Sequence, residues 1–282
     1  MTITAALVKE LRDLTSAGMM DCKKALQECD GDIEKAVLWL REKGIAKAQN
    51  KSGRTSAEGL TKVVTDGNRA VLIEVNSETD FVAKNDQFTS LLDKISSAIL
   101  SSNVKSGDNI NDLIVGEETV SELVINATAT IGENIQFRRF EVIEKTSEEI
   151  FGSYMHMGGK ISSLAILEHA NEEVAKDIAM QVASMNPQFI SRNEMDDAFV
   201  SQERNVQKEI AMNDDTLSGK PEKVLEGIIE GRLSKTLKDI SLVDQDFFRE
   251  ADLSVGKYLE QHSASVVRFV RYMVGEGIDK TS

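Results

Sequence analysis

The chain has 282 residues, 41% hydrophobic and 28% charged, and its 33 Lys and Arg against 47 Asp and Glu give a formal net charge of −14. Such a mix excludes a fibrous or disordered polymer and allows two or three domains with cores of their own. So acidic a chain also argues against direct nucleic-acid binding, which rests on clustered cations that release phosphate counterions. Two cysteines, Cys22 and Cys29, and three scattered histidines, His156, His169 and His262, argue against a disulfide framework or a structural zinc site, and no metal or cofactor is expected. No apolar run approaches the ~20 residues of a membrane span. The start MTITAALVKELRDL is amphipathic and lacks a cleavable apolar core. The expected setting is reducing and cytoplasmic, away from membranes.

Residues 1–45 predict a three-helix module. Thr4 is placed to cap a first helix whose Leu7, Leu11 and Leu14 share a stripe. Thr15 to Gly18 break it, and Met19-Met20 open a second helix with Cys22, Ala25 and Leu26 inward. Cys29-Asp30-Gly31 end that one, and Asp32 caps a third, carrying Ile33, Ala36, Val37 and Leu40, with Gly44 as its expected stop. Residues 46–59 lose apolar periodicity, hold Lys47, Lys51 and Arg54 among small residues, and read as a linker. The first 56 residues carry 10 basic and 8 acidic side chains, so the remainder carries −16.

A first core subdomain is expected over 60–145. Two β-rich runs, Leu60 to Thr65 and Arg69 to Val75, flank Asp66-Gly67-Asn68 and predict a hairpin. A helix with Phe88, Leu91, Leu92, Ile95 and Ile99 follows, then one with Val120, Leu123, Val124 and Ala127, then a strand from Ile135 to Val142. The hairpin-then-helix order returns around Gly158-Gly159, with a helix near 172–185. A second subdomain is therefore expected over 146–193 and 242–282, ending in a helix at Val255 to Leu259 and a strand at Val266 to Val274. Between its two parts, residues 194–241 predict an antiparallel helical hairpin: Phe199, Val206 and Ile210 on one helix, Val224, Ile228, Leu233 and Leu237 on the other, Pro221 at N1 of the second. The fold class is α+β, with a three-helix head, a core of two α+β subdomains built on antiparallel sheets, and a protruding coiled-coil hairpin.

No phosphate loop, dinucleotide fingerprint, G-x-S-x-G elbow or H-E-x-x-H pair is present. Gly158-Gly159 joins two strands without a following Lys and Ser/Thr, which favours a turn over a phosphate cradle. His156 has no carboxylate or nucleophile beside it in sequence, so surface contact or plain structure is favoured over a catalytic base. Asp196-Asp197 and Asp214-Asp215 read as solvated surface. One segment, Asn76-Ser77-Glu78-Thr79-Asp80-Phe81-Val82-Ala83-Lys84-Asn85, stands at a strand end before a helix. Thr79 or Asp80 could cap that helix, and Phe81 and Val82 could be core or a hydrophobic staple.

Thr79-Asp80-Phe81-Val82 resembles the T-D-F-V signature of the bacterial elongation factor Ts family. Leu7 to Arg12, Ala17 to Leu26 and Gly31 to Ala36 resemble that family's head, and Ile131-Gly132-Glu133-Asn134-Ile135, Arg138-Arg139, Gly152-Ser153-Tyr154 with His156, and Val274-Gly275-Glu276-Gly277-Ile278 extend the likeness along the chain. The resemblance implies a ubiquitin-associated-like head and a guanine nucleotide exchange factor for elongation factor Tu, without covalent chemistry or catalytic residues of its own. It implies that Thr79, Asp80, Phe81 and Val82 dislodge the partner's Mg²⁺ and phosphate contacts. Lys9, Arg12, Met19, Met20, Ile131 and His156 match positions that meet the partner. Met19 and Met20 have bundle core as an equal rival, and Ile131 has helix-end packing. Members typically carry a further short helical module after the V-G-E-G-I run, which is not expected in the few residues following it here. A homodimer or 2:2 complex through the core or the coiled coil is compatible with the resemblance. Two other classes stay open: a plain binding module acting through the head, and, weakest, an enzyme.

Overall fold

The computed structural model describes residues 3–279; Lys280 to Ser282, which the sequence assigns to the second core subdomain, lie outside the described residues. The described chain is α+β, with nine α-helices and ten strands, and none of its helices is long and apolar enough to cross a membrane. It divides into two compact units: residues 3–144 with 157–162 and 272–279, and residues 145–156 with 163–271.

The first unit opens with α1 (Ala5–Thr15), α2 (Met19–Glu28) and α3 (Ile33–Gln49). Both expected caps form: the Leu7 N–H donates to Thr4 Oγ1 at 3.2 Å and the Lys35 N–H to Asp32 Oδ1 at 3.0 Å. Val8, Leu11, Cys22, Ala25, Leu26 and Ala36 form the buried centre. Burial pushes the Cys22 thiol pKa up, as befits an inert core residue. The expected Leu7, Leu11, Leu14 stripe is corrected, because Leu14 is 66% exposed. At about 100° per residue, Val8, Leu11 and Thr15 cluster within about 60° of one another, and Leu14 falls outside that arc.

Strands β1 (Glu58–Asp66) and β2 (Arg69–Ser77) pair antiparallel from Glu58 opposite Ser77 to Asp66 opposite Arg69, around the expected turn. Then come α4 (Asp86–Ser101), a short pair β3 (Ile114–Val115) and β4 (Glu118–Thr119), α5 (Val120–Ile131) and β5 (Gln136–Glu144). Helix α5 starts at a capping box in which Thr119 and Glu122 each satisfy the other's backbone N–H. The sheet order is β1-β2-β5, antiparallel throughout. On one face of β2, Val71, Ile73 and Val75 pack with Phe88, Leu92, Ile95 and Ile99 of α4 and with Val120 and Leu123 of α5. Each fully buried large apolar side chain is worth about 1.5–3 kcal/mol, so this cluster holds β2 against the two helices. Gly44 does not stop α3; it is buried inside the helix, where a Cβ would meet that of Ala129 in α5 at 3.4 Å. Lacking a side chain, it lets the two helices approach, and α3 runs on through residues expected in the linker.

On its other face β2 buries Glu74 completely. A bulge lies opposite: Glu74 pairs with Arg139 and Val75 with Phe137, leaving Arg138 as the extra residue. Successive strand residues normally point to opposite faces, and the bulge cancels that alternation. Arg138 Nη1 and Arg139 Nε both reach the carboxylate, at 2.9 and 2.6 Å, and the Gly275 N–H donates to it at 2.8 Å.

The second unit contains β6 (Glu149–His156), most of β7 (Ile161–Glu168) and α6 (Glu172–Met185), while the turn Met157–Gly159 that follows β6 is counted with the first. Helices α7 (Asp197–Met212) and α8 (Glu222–Asp239) pack on each other. Strands β8 (Asp246–Phe247) and β9 (Glu250–Ser254), unforeseen in the sequence, precede α9 (Val255–Gln261) and β10 (Ser265–Met273). The sheet order is β10-β7-β6. Ala165 and Leu167 of β7 pack with Val174, Ile178 and Val182 of α6 and with Phe247 and Tyr258, whose rings stack at 4.1 Å. The acidic pairs have structural work: Asp196 caps α7, and Asp214 accepts from the Thr216 N–H and from Arg232 at 2.8 Å. Pro221 sits one residue earlier than expected, at the N-cap of α8.

Candidate functional site

The segment after β2 is built by anchoring on either side of one exposed ring. Ser77 turns the chain, its hydroxyl donating to the Thr79 carbonyl at 2.9 Å. Val82, 7% exposed, returns to the core and begins a single 3-10 turn, Val82–Lys84, closed by bonds from the Lys84 and Asn85 N–H groups to the Phe81 and Val82 carbonyls. Asn85 then caps α4, accepting from the Gln87 N–H at 2.8 Å. The alternative of Thr79 or Asp80 as cap is thereby corrected: the intervening turn separates both from α4, and Asn85, directly before it, takes the role.

Between these anchors Phe81 holds a helical backbone conformation, φ −63° and ψ −36°, and leaves its ring 79% exposed. Burying a phenyl side chain contributes about 1.5–3 kcal/mol, so an ordered loop that forgoes it is the informative kind of exposure. Asp80 beside it is exposed as well.

The loop leans on the turn that follows α5. Gly132 closes α5 in the left-handed region, φ 89°, where glycine carries no Cβ penalty. Next to it, Glu133 accepts from both donors of Thr79: the N–H to Oε2 at 2.9 Å and the hydroxyl to Oε1 at 2.6 Å. In the reverse direction, Glu78 of the loop accepts from the Asn134 N–H at 2.6 Å. The chain after α3 joins the same cluster: the Arg54 guanidinium lies 3.5 Å from Glu78, Lys51 Nζ donates to the Gly132 carbonyl, Asn134 Nδ2 donates to the Arg54 carbonyl at 2.7 Å, and Ser56 Oγ donates to the Asn134 carbonyl at 2.8 Å. The residues expected as a plain basic linker thus brace the loop.

Of the site residues expected from sequence, Thr79 and Val82 are anchors, Asp80 and Phe81 face outward, and Ile131 ends α5 beside the same turn, half-buried against the core. Lys9 and Arg12 lie three residues apart on the exposed side of α1. Met19 and Met20 are both exposed, at 56% and 76%, which removes bundle core as their role. His156 belongs to the second unit, half-buried, its Nδ1 3.4 Å from the Tyr154 hydroxyl and flanked by the exposed Met155 and Met157. Glu78, Glu133, Lys51 and Arg54 were not expected as site residues, since their partners lie 24 to 81 positions away. With Glu78 and Glu133 engaged by loop and turn donors, the loop presents outward an aromatic ring and the Asp80 carboxylate, not an acid–base pair.

A family model described as Elongation factor TS matches residues 78–276, beginning inside this loop. The Elongation factor Ts of Acholeplasma laidlawii (strain PG-8A) is 52% identical over 281 residues, covering 99% of this chain and 95% of that protein. The Elongation factor Ts of Levilactobacillus brevis is 48% identical over 279 residues, covering 99% and 94%.

Proposed function

The chain belongs to the elongation factor Ts family, and from that premise we propose that it is a guanine nucleotide exchange factor for elongation factor Tu. It accelerates GDP release by binding, without covalent chemistry and without a cofactor of its own. The observation that carries this reading is Phe81, a bare ring held out by a loop whose neighbours are fixed.

In this reading Phe81, with Asp80 beside it, wedges near the partner's Mg²⁺ site and favours a state of the GTPase whose metal and phosphate contacts are deformed. Thr79 and Val82 hold the wedge. Exchange is then a coupling free energy: whatever factor this protein takes from the GTPase's affinity for GDP, GDP takes from the GTPase's affinity for this protein. Incoming nucleotide displaces it by the same linkage.

Lys9, Arg12, Met19 and Met20 form the head's share of the contact surface, supported by their exposure, and Ile131 and His156 add contacts from elsewhere. Methionine suits such a surface because its unbranched, polarizable chain adapts to a partner's shape. We also read residues 1–45 as ubiquitin-associated-like, 46–59 as their connection to the body, 60–145 and 146–193 with 242–282 as two core halves, and 194–241 as a coiled-coil insertion. The same reading places the protein in the cytoplasm, where translation runs.

The test is GDP dissociation from purified elongation factor Tu with and without this chain, over a range of Mg²⁺ concentrations. Acceleration is expected, and an unchanged rate at every Mg²⁺ concentration overturns the proposal.

A further inference from the structure

The cluster around Thr79 is more than a loop attachment. Residues 78–81 belong to no helix or strand, so without side-chain partners the Thr79 N–H would be left to water. Instead one carboxylate on each side of the cluster reaches across to the other: Glu133 to the loop, Glu78 to the turn after α5. The 2.6 Å hydroxyl contact lies in the short range of charge-assisted O–H···O⁻ bonds. Three residues after Thr79, Val82 is sunk in the core. Only Asp80 and Phe81 remain between fixed points, which leaves the ring little freedom of direction.

We infer that Glu133 is a positioning residue for Phe81: its carboxylate fixes the loop in the conformation that presents the ring to the partner, and Glu78 reinforces it from the other side. The inference rests on the exchange reading above. A pre-ordered loop does not have to be ordered on association, and a loop that samples other conformations exchanges more slowly in proportion to the competent fraction. The role is geometric rather than electrostatic. Glutamine at 133 can still accept the Thr79 N–H through Oε1 and can donate through Nε2 to the Thr79 hydroxyl, whereas alanine replaces neither contact.

The experiment measures GDP release from elongation factor Tu driven by the full chain at limiting concentration, for wild type, E133A, E133Q, F81A and the double variant F81A/E133A, with thermal unfolding of each. E133A is expected to exchange about ten-fold more slowly, the scale set by the loss of two hydrogen bonds, and E133Q to stay within about two-fold of wild type. In the F81A background, E133A should change the rate by less than about two-fold, because a loop without its ring has nothing left to present. Should E133A fail to fold, T79V, which deletes only the hydroxyl donor, carries the test with an expected loss of about three-fold. A folded E133A that exchanges like wild type, or that loses the same factor with and without Phe81, overturns the positioning role while the exchange reading stands. A wild-type chain that leaves GDP release unchanged overturns both.

Discussion

Removing the Glu74 carboxylate should cost the first unit more than any surface substitution. The side chain is fully buried and accepts from Arg138 at 2.9 Å, Arg139 at 2.6 Å, the Gly275 N–H at 2.8 Å and Asn76 Nδ2 at 3.2 Å. Breaking a buried ion pair by deleting one partner costs about 3–5 kcal/mol, because the remaining charge is stranded. Arg138 and Arg139 keep 24% and 31% of their side-chain surface exposed and would recover some hydration, which favours the lower figure. The stranded Gly275 N–H adds about 1 kcal/mol, so Glu74→Ala should destabilise by about 4 kcal/mol. Burial opposes the charge on Arg139, yet hydrogen bonds and attraction from Glu74, with help from Glu276, win and hold its pKa above the ordinary value; Glu74→Ala removes most of that support, and the guanidinium still stays charged because arginine does not deprotonate in proteins. Glu74→Gln should fall near half that loss, since an amide oxygen can serve Gly275 while its nitrogen faces a cation. Urea unfolding of the full chain reads these differences. A loss below about 1 kcal/mol for Glu74→Ala would refute the reasoning, by showing that desolvation cancels the attraction.

Gly152→Ala should prevent stable folding of the second unit, since a Cβ there would lie 1.8 Å from the Ala175 carbonyl oxygen of α6, a backbone atom that cannot swing aside; a wild-type melting temperature would contradict this. The Lys35 backbone bond, then its side chain, lowers the Asp32 pKa below the usual 3.8. Its capping contribution is therefore complete above pH 3.8 and is lost as pH falls through the lower folded value. Asp32→Asn keeps a cap but does not titrate, so any advantage of wild type over this variant should shrink below pH 3.8, and an advantage constant with pH would contradict the assignment. In and between α7 and α8, Ala211, Leu217 and Leu233 are buried, while Val206, Ile210 and Val224 remain exposed. Amides along α7 and α8 should accordingly exchange with deuterium well before those of α6, and equal protection would show cohesion that these side chains do not supply.

The sequence carried most of the local information. Hairpins around Gly67 and Gly158, helix α6 near residues 172–185, and the caps at Thr4 and Asp32 follow from turn chemistry and periodicity, which act over a few residues. What it left illegible depends on distant partners. Gly44 has the chemistry of a helix stop, and only the approach of Ala129 explains why α3 continues. Arg138 and Arg139 would point to opposite faces of a regular strand, and the bulge against β2 brings both to Glu74. At the site, the T-D-F-V run was legible as a motif but its support was not: Glu133 lies 54 positions from Thr79, and a local reading offers Thr79 or Asp80 as a helix cap instead. The exposure of Met19 and Met20 likewise depends on how the three helices turn against one another, which adjacent apolar residues leave open.

In the proposed exchange Phe81 is the working element, and the most direct measurement is GDP release from elongation factor Tu with wild type and Phe81→Ala at matched concentrations. Because the ring is 79% exposed, the variant should melt within about 1 °C of wild type, as surface substitutions do. Its acceleration of GDP release should fall by at least about ten-fold, a loss of about 1.4 kcal/mol of transition-state stabilisation. A folded Phe81→Ala variant that releases GDP as fast as wild type would contradict it.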